Sequence, residues 1–134
     1  MKIQGKVFVV TGAGSGIGRS LTLAMLQGGA KVAAVDINEA NLKETAALAN
    51  AGTSLSTHVV DISNRQQIEA LRPAVVEAHG VVDGIVNNAG IIQPFVPLKD
   101  LDYGAIERVL NINLYGTIYM LKNLLPELLK RPEA

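Results

Sequence analysis

Hydrophobic and polar residues along this chain alternate between two patterns, one typical of strands and one typical of amphipathic helices. Four segments rich in apolar and β-branched residues predict strands, at 7–10, 31–36, 54–61 and 84–87. Three segments with apolar residues at helical spacing follow the first three strands, at 17–27, 38–50 and 64–79. The last segment, 101–130, predicts a long helix that bends near Gly116, while Pro73 should kink the third helix or delay its start.

Strands that alternate with helices in this way predict parallel strands joined by right-handed crossover connections. The expected fold class is α/β: a Rossmann-type, doubly wound parallel sheet of about four strands in the order 3-2-1-4, with flanking helices. A chain of 134 residues is long enough for one ordinary domain, and because 49% of its residues are hydrophobic we expect a well-buried interior.

The charge and cysteine content exclude several classes of function. The chain carries 12 basic and 12 acidic residues without a block of like charge, so binding to nucleic acid or to a membrane is not expected. The absence of cysteine excludes disulfides and zinc-thiolate sites and fits a reducing compartment, so we expect a cytoplasmic protein. No metal site is predicted, because His58 and His79 lie far apart in sequence and should be surface or helix-end residues.

A glycine-rich segment, Thr-Gly-Ala-Gly-Ser-Gly-Ile-Gly at 11–18, joins the first predicted strand to the first helix. Missing side chains there let backbone N–H groups and the positive end of the helix approach a pyrophosphate. The segment lacks the Lys and Ser/Thr ending of a P-loop, and the alternative is a tight turn that binds nothing. The predicted dinucleotide-binding residues of this segment are Thr11, Gly12, Ser15, Gly16, Ile17 and Gly18.

An acidic residue, Asp36, ends the second predicted strand, 18 residues beyond Gly18. This is close to the spacing of an acid that hydrogen-bonds the ribose 2′-hydroxyl of NAD, and a carboxylate there would repel the 2′-phosphate of NADP. Ile37 supplies no positive charge, so NAD is the expected cofactor and NADP is disfavoured. The alternative is that Asp36 caps the helix that begins near Asn38.

Four motifs in order resemble the short-chain dehydrogenase/reductase family. They are Thr11-Gly-x-x-x-Gly-x-Gly, Asp61 after the third strand, Asn87-Asn88-Ala89-Gly90 after the fourth, and Asn113-Leu114-x-Gly116. The match runs from about Lys6 to Pro126. Members of the family are about twice as long, so the resemblance implies that residues 1–134 are a single NAD(P)-binding Rossmann domain, incomplete at its C-terminus.

The resemblance implies further roles for residues after the third and fourth strands. Asp61 would accept a hydrogen bond from the adenine amino group, with Ile62 contributing its backbone. Asn88, Ala89 and Gly90 would line the adenosine-ribose side, while Asn87 would brace the sheet. Asn113 would be the catalytic asparagine that anchors a water in the proton relay. Two alternatives stay open: Asp61 could cap the helix opening at Ser63 or Asn64, and Asn113 could only fill a helix bend.

The other catalytic residues of the family are missing from this sequence. Family members use a serine that orients the carbonyl, a tyrosine that exchanges a proton with it, and a lysine four residues later that lowers the tyrosine pKa from about 10. No Tyr-x-x-x-Lys occurs here, and Lys122 is only three residues beyond Tyr119. Two hypotheses follow. The chain is either half of an enzyme that transfers hydride between NAD and an alcohol or ketone, or a non-catalytic dinucleotide-binding or scaffold module. The resemblance also implies a homo-oligomer formed through helix 101–130.

Overall fold

A computed structural model describes residues 2–134, which are built around a parallel sheet of four strands. The strands are β1 (Val7–Thr11), β2 (Lys31–Asp36), β3 (Leu55–Val59) and β4 (Gly84–Val86). Their order across the sheet is β3-β2-β1-β4, and all three pairings are parallel. The predicted fold class and strand order are therefore confirmed.

Five α-helices flank the sheet: α1 (Gly16–Gln27), α2 (Glu39–Ala49), α3 (Arg65–His79), α4 (Tyr103–Leu110) and α5 (Thr117–Leu128). The predicted helix 101–130 is a continuous helical segment from 103 to 128, but a π-helical turn, Asn111–Gly116, separates α4 from α5. Helix α3 continues through Pro73, so the expectation of a late start was wrong. Single 3-10 turns occupy Gly52–Ser54 and Leu98–Asp100.

Asparagine side chains fix the starts of α2 and α3. Asn38 accepts a hydrogen bond from the amide of Asn41, three residues into the helix, and Asn64 accepts one from Gln67. Neither helix is therefore capped by the aspartate that precedes it, and this corrects the two alternatives in which an aspartate served as the cap.

Successive strand residues point to opposite faces of the sheet, and each face has its own core. Val9, Ala33 and Val35 pack on one face with buried residues of α3 and α5. Val10, Val32 and Ala34 pack on the other face with residues of α1 and α2. Because β1 is buried along its whole length, the residues at its carboxyl end are held between both layers.

One helix surface remains apolar and half exposed. It consists of four residues one turn apart on the π turn and α5, here called the apolar helix face: Leu114, Ile118, Leu121 and Leu125, which are 41–49% exposed. Among residues 2–134, no helix is both long enough and apolar enough to cross a membrane.

Candidate dinucleotide-binding cleft

A cleft of about 440 Å³ opens at the carboxyl ends of the strands. All the predicted cofactor residues line it except Thr11 and Gly18, the two ends of the glycine-rich segment. The structure adds lining residues that the sequence analysis missed: Val35, Val60, Ile91, Arg108 and Ile112. Val35 and Val60 immediately precede the two predicted aspartates, so the rule that ligands bind at the carboxyl ends of parallel strands could have found them. Arg108 and Ile112 had no comparable signal.

The glycine-rich segment is packed tightly behind and open in front. A methyl group on Gly18 would overlap the carbonyl oxygen of Gly12, and one on Gly12 would stand 2.8 Å from the Asn88 amide nitrogen. Gly16 has a left-handed φ of +52°, and no atom lies within 4 Å of the position of a Cβ there. The segment can therefore bring its backbone close to a ligand on the cleft side.

The first turn of α1 is free to bind an anion. Ser15 occupies the N-cap position but makes no side-chain hydrogen bond to the helix, whereas α2, α3 and α4 are each capped by a side chain. Amide groups at an uncapped helix start carry partial positive charge and need an acceptor. The residues present therefore fit a pyrophosphate group.

Thr11 and Asn88 tie the ends of β1 and β4 together beneath the cleft. The Thr11 hydroxyl accepts hydrogen bonds from the amides of Asn88 and Ala89, both at 3.0 Å, and donates to the carbonyl of Val86 at 3.3 Å. The Asn88 side chain donates to the Thr11 carbonyl at 3.0 Å. The bracing role expected of Asn87 therefore belongs to Asn88, and the Asn87 side chain is exposed.

The Asp36 carboxylate is held at the cleft by two backbone amides. Its Oδ2 accepts a hydrogen bond from Gly14 at 2.9 Å, and its Oδ1 accepts one from Asn38 at 3.0 Å. A carboxylate has about four acceptor positions, so each oxygen can accept a further hydroxyl hydrogen. These free acceptor positions fit the hydroxyl groups of a ribose.

Asp61 lies where the cleft meets an adjoining cavity of about 370 Å³. Its Oδ1 accepts from the amide and the hydroxyl of Ser63, at 2.9 and 2.7 Å, while Oδ2 accepts no hydrogen bond within residues 2–134. The neighbouring Ile62 is buried against Gly116, where a Cβ would stand 3.1 Å from the Ile62 carbonyl oxygen. Gly116 therefore lets the helix approach the loop that carries both residues.

Asn113 lies in the π-helical turn and joins it to the loop after β4. Its Oδ1 accepts from the amide of Ile91 at 2.9 Å, and its Nδ2 donates to the Ile91 carbonyl at 2.7 Å. The side chain is therefore bonded across the fold rather than only filling a bend. π-Helical turns are frequent at functional sites. One Nδ2 hydrogen and one Oδ1 lone pair remain for another partner.

No tyrosine or lysine lines the cleft in the described part of the chain. Tyr119 and Lys122 instead line a groove between α3 and α5, where the Arg65 guanidinium lies 6.0 Å from the Tyr119 ring centroid. This pair cannot replace the Tyr-x-x-x-Lys motif at the cleft.

The two histidines meet away from the cleft. Nε2 of His58 and Nε2 of His79 each lie 2.8 Å from the Ser56 hydroxyl oxygen. Burial lowers the pKa of both imidazoles from 6.5, and positive charge from His79 and Lys31, respectively, lowers it further. His79 ends a helix as expected, but the two side chains form one partly buried cluster rather than separate surface residues.

Comparisons with known proteins identify the family to which this chain belongs. A family model described as short chain dehydrogenase matches residues 6–134. The chain is 36% identical over 135 residues to 3beta-hydroxysteroid dehydrogenase 2 of Eggerthella lenta, covering 98% of this chain and 51% of that protein. It is 43% identical over 116 residues to (+)-borneol dehydrogenase 1 of Salvia officinalis, and this match covers 86% of this chain and 44% of that protein.

A solved structure of a short chain dehydrogenase/reductase from Burkholderia phymatum, in complex with NAD, superposes with a TM-score of 0.93 at 32% identity. That alignment covers 100% of this chain and 48% of the other. The chain thus spans about half the length of the relatives it matches.

Proposed function

The chain belongs to the short-chain dehydrogenase family, and we propose from this premise that it is the NAD-binding half of an oxidoreductase. The parent reaction would be hydride transfer between NAD and an alcohol or ketone. One observation carries the proposal: the uncapped start of α1 and the Asp36 carboxylate face the same cleft. A dinucleotide carries a pyrophosphate and an adjoining ribose diol, which are the two groups that these two parts of the cleft would bind.

Each part of the dinucleotide has a proposed partner. Backbone amides between Gly12 and Gly18 would bind the pyrophosphate, and Asp36 would accept hydrogen bonds from the adenosine ribose. Asp61, with its free Oδ2, and the backbone of Ile62 would bind adenine. Ser15, Ile17, Ile37, Asn88, Ala89 and Gly90 complete the proposed lining. A 2′-phosphate would stand against the Asp36 charge, so we propose NAD rather than NADP.

The catalytic part of the proposal is limited to one residue of this chain. NAD, when bound, supplies the hydride acceptor of the reaction. Asn113 holds the Ile91 backbone beside the cleft and keeps one donor and one acceptor free, which suits the anchoring of a water. Because the chain spans about half the length of its relatives, we propose that residues 1–134 are one dinucleotide-binding domain of a longer enzyme and that the remaining length supplies the serine, tyrosine and lysine.

The alternative of a non-catalytic scaffold module is not favoured, because the relatives reported above are dehydrogenases. We further propose a cytoplasmic location, which the absence of cysteine supports. Self-association through the apolar helix face is also proposed, because exposed apolar patches rimmed by polar residues are typical of interfaces.

Calorimetric titration with NAD, with NADP and with buffer alone tests this function. We expect NAD to bind more tightly than NADP, and Asp36→Ala to weaken NAD by about 1–3 kcal/mol through the loss of a partly buried hydrogen bond. Asp100→Ala, an exposed acid outside the cleft, is the matched control and should leave both affinities unchanged. Equal losses for NAD and NADP in Asp36→Ala would overturn the ribose assignment, and no binding of NAD by the wild type would overturn the function.

A further inference from the structure

Arg19 follows the glycine-rich segment, yet its side chain lies behind that segment rather than in the cleft. Its Nε donates hydrogen bonds to the carbonyl oxygen of Gly14 and to the hydroxyl of Thr45, both at 3.0 Å. Its Nη2 donates to the same Gly14 carbonyl and forms an ion pair with Glu44 at 2.7 Å. The guanidinium therefore binds the loop and α2 through Nε and Nη2, and its charge is paired with Glu44.

Thr45 on α2 approaches the same loop from the other side. Its side chain is fully buried, and its hydroxyl lies 3.0 Å from the carbonyl oxygen of Ala13, 3.1 Å from that of Asn41 and 3.4 Å from that of Gly14, so its one hydrogen is shared among these acceptors. The hydroxyl oxygen of Thr45 also accepts the hydrogen bond from Arg19 Nε. Side chains from α1 and α2 thus converge on two consecutive peptide carbonyls, those of Ala13 and Gly14.

The peptide between Ala13 and Gly14 connects this brace to the cleft. Its carbonyl accepts from Thr45, and its N–H donates to Asp36 Oδ2 at 2.9 Å. A trans peptide is planar, so fixing the carbonyl direction also fixes the opposite direction of the N–H. Gly14 and Asp36 are in close contact, since a Cβ on Gly14 would stand 2.8 Å from Oδ2. The orientation of the carboxylate is therefore coupled to the brace.

We propose that Arg19 and Thr45 are positioning residues that hold Asp36 in the orientation needed to select NAD over NADP. This inference rests on the proposed function. A carboxylate that Gly14 already fixes loses little conformational entropy when it binds a ribose hydroxyl. For the same reason it cannot turn away from a 2′-phosphate. Arg19, whose charge is paired with Glu44, supports this selection from behind the loop and does not bind the 2′-phosphate itself.

Titration of NADH and NADPH by fluorescence, together with thermal melting, tests the proposal in the whole chain. Thr45→Val removes one hydroxyl at nearly constant shape, and we expect it to weaken NADH about fivefold, as for one lost hydrogen bond, with a smaller loss for NADPH. Arg19→Leu should act in the same direction, and Thr45→Ser should restore the wild-type preference. Thr22→Val is the matched control, because Thr22 is also buried but its hydroxyl has no partner within the described residues.

A double-mutant cycle separates positioning from simple stability. With Asp36→Ala already present, adding Thr45→Val should change NADH affinity by less than about twofold, because the group that Thr45 positions is gone. A lower melting temperature in Thr45→Val with an unchanged NADH/NADPH ratio would show a structural role only and overturn the inference. A larger loss for NADPH than for NADH in Arg19→Leu would instead make Arg19 a phosphate ligand. If Arg19→Leu does not fold, the NADH/NADPH ratio of Thr45→Val alone tests the inference. A wild type that binds neither cofactor would refute the proposed function rather than this inference.

Discussion

Replacing Thr11 by valine tests whether the floor of the cleft depends on one hydroxyl group. Thr11 is 1% exposed, and valine has nearly the same shape, so the substitution removes hydrogen bonds without opening a cavity. It leaves the amide of Ala89 without its acceptor, while the amide of Asn88 keeps a hydrogen bond to the Val86 carbonyl at 3.1 Å. The change therefore acts on the contact between β1 and β4 and on the two cleft-lining residues, Asn88 and Ala89, that Thr11 holds.

The expected magnitude follows from the groups left without partners. A buried donor that loses its acceptor costs about 1–3 kcal/mol, and one partly buried amide, that of Ala89, is left without an acceptor. The added methyl group of valine returns about 0.8 kcal/mol of apolar burial. We therefore expect the free energy of unfolding to fall by about 1–2 kcal/mol, against the ~5–15 kcal/mol that stabilises an ordinary domain.

Urea unfolding followed by circular dichroism measures this loss directly. Thr22→Val is the control, because it removes a buried hydroxyl that has no hydrogen-bond partner in residues 2–134, and it should be neutral or slightly stabilising. Thr11→Ser keeps the hydroxyl and should retain most of the stability. If Thr11→Val loses no more stability than Thr22→Val, the hydroxyl does not hold the two strands together, and the reasoning is wrong.

Two other side-chain clusters support predictions of stability. Asp83 is buried and accepts hydrogen bonds from the Val7 amide at 2.8 Å and from Arg131 Nε at 2.7 Å. Asp83→Ala should therefore lower the free energy of unfolding, measured by urea titration, by about 2–4 kcal/mol. A loss smaller than that caused by replacing an exposed aspartate with alanine would contradict this expectation. The pKa of His58 and His79 is lowered in the folded chain, so near the ordinary histidine pKa of 6.5 the unfolded chain binds more protons. The stability should therefore be fully present above that pKa and be lost as the pH falls through and below 6.5. Melting temperatures across that range should show the slope, and His79→Gln should flatten it; an unchanged slope would exclude the cluster as its source.

The sheet could be predicted from the sequence because its signals are local. Apolar segments, glycines and their order specify parallel strands, and the carboxyl ends of such strands meet at one edge, so the glycine-rich segment, Asp36 and Asp61 could be assigned to one cleft. The predicted end of the third strand was less accurate, because β3 was expected to reach residue 61 but ends at Val59. Its partner β2 ends opposite it at Asp36, so no further ladder can form.

The features that were missed depend on contacts between distant segments. Gly116 indicated a bend, but the π turn is held by Asn113 and the Ile91 backbone, which are 22 residues apart. The histidines meet because α3 runs back across the sheet and brings His79 at its end beside β3. Arg108 reaches the cleft only through the rotation of α4, which hydrophobic periodicity does not determine at the level of one side chain.

The cleft combines a rigid polar floor with an exposed apolar rim. Thr11, Asn88 and Asp36 are held by backbone hydrogen bonds before any ligand arrives, so binding requires little ordering of the groups that would contact the dinucleotide. Ile17 and Ile37 are 80% and 66% exposed at the edge of the same cleft. A bound dinucleotide would cover part of that apolar surface, and burial of apolar area contributes about 25 cal/mol per Å². Under the proposed function, the polar floor would therefore provide the selectivity of the cleft, while the rim would add affinity that does not distinguish NAD from NADP.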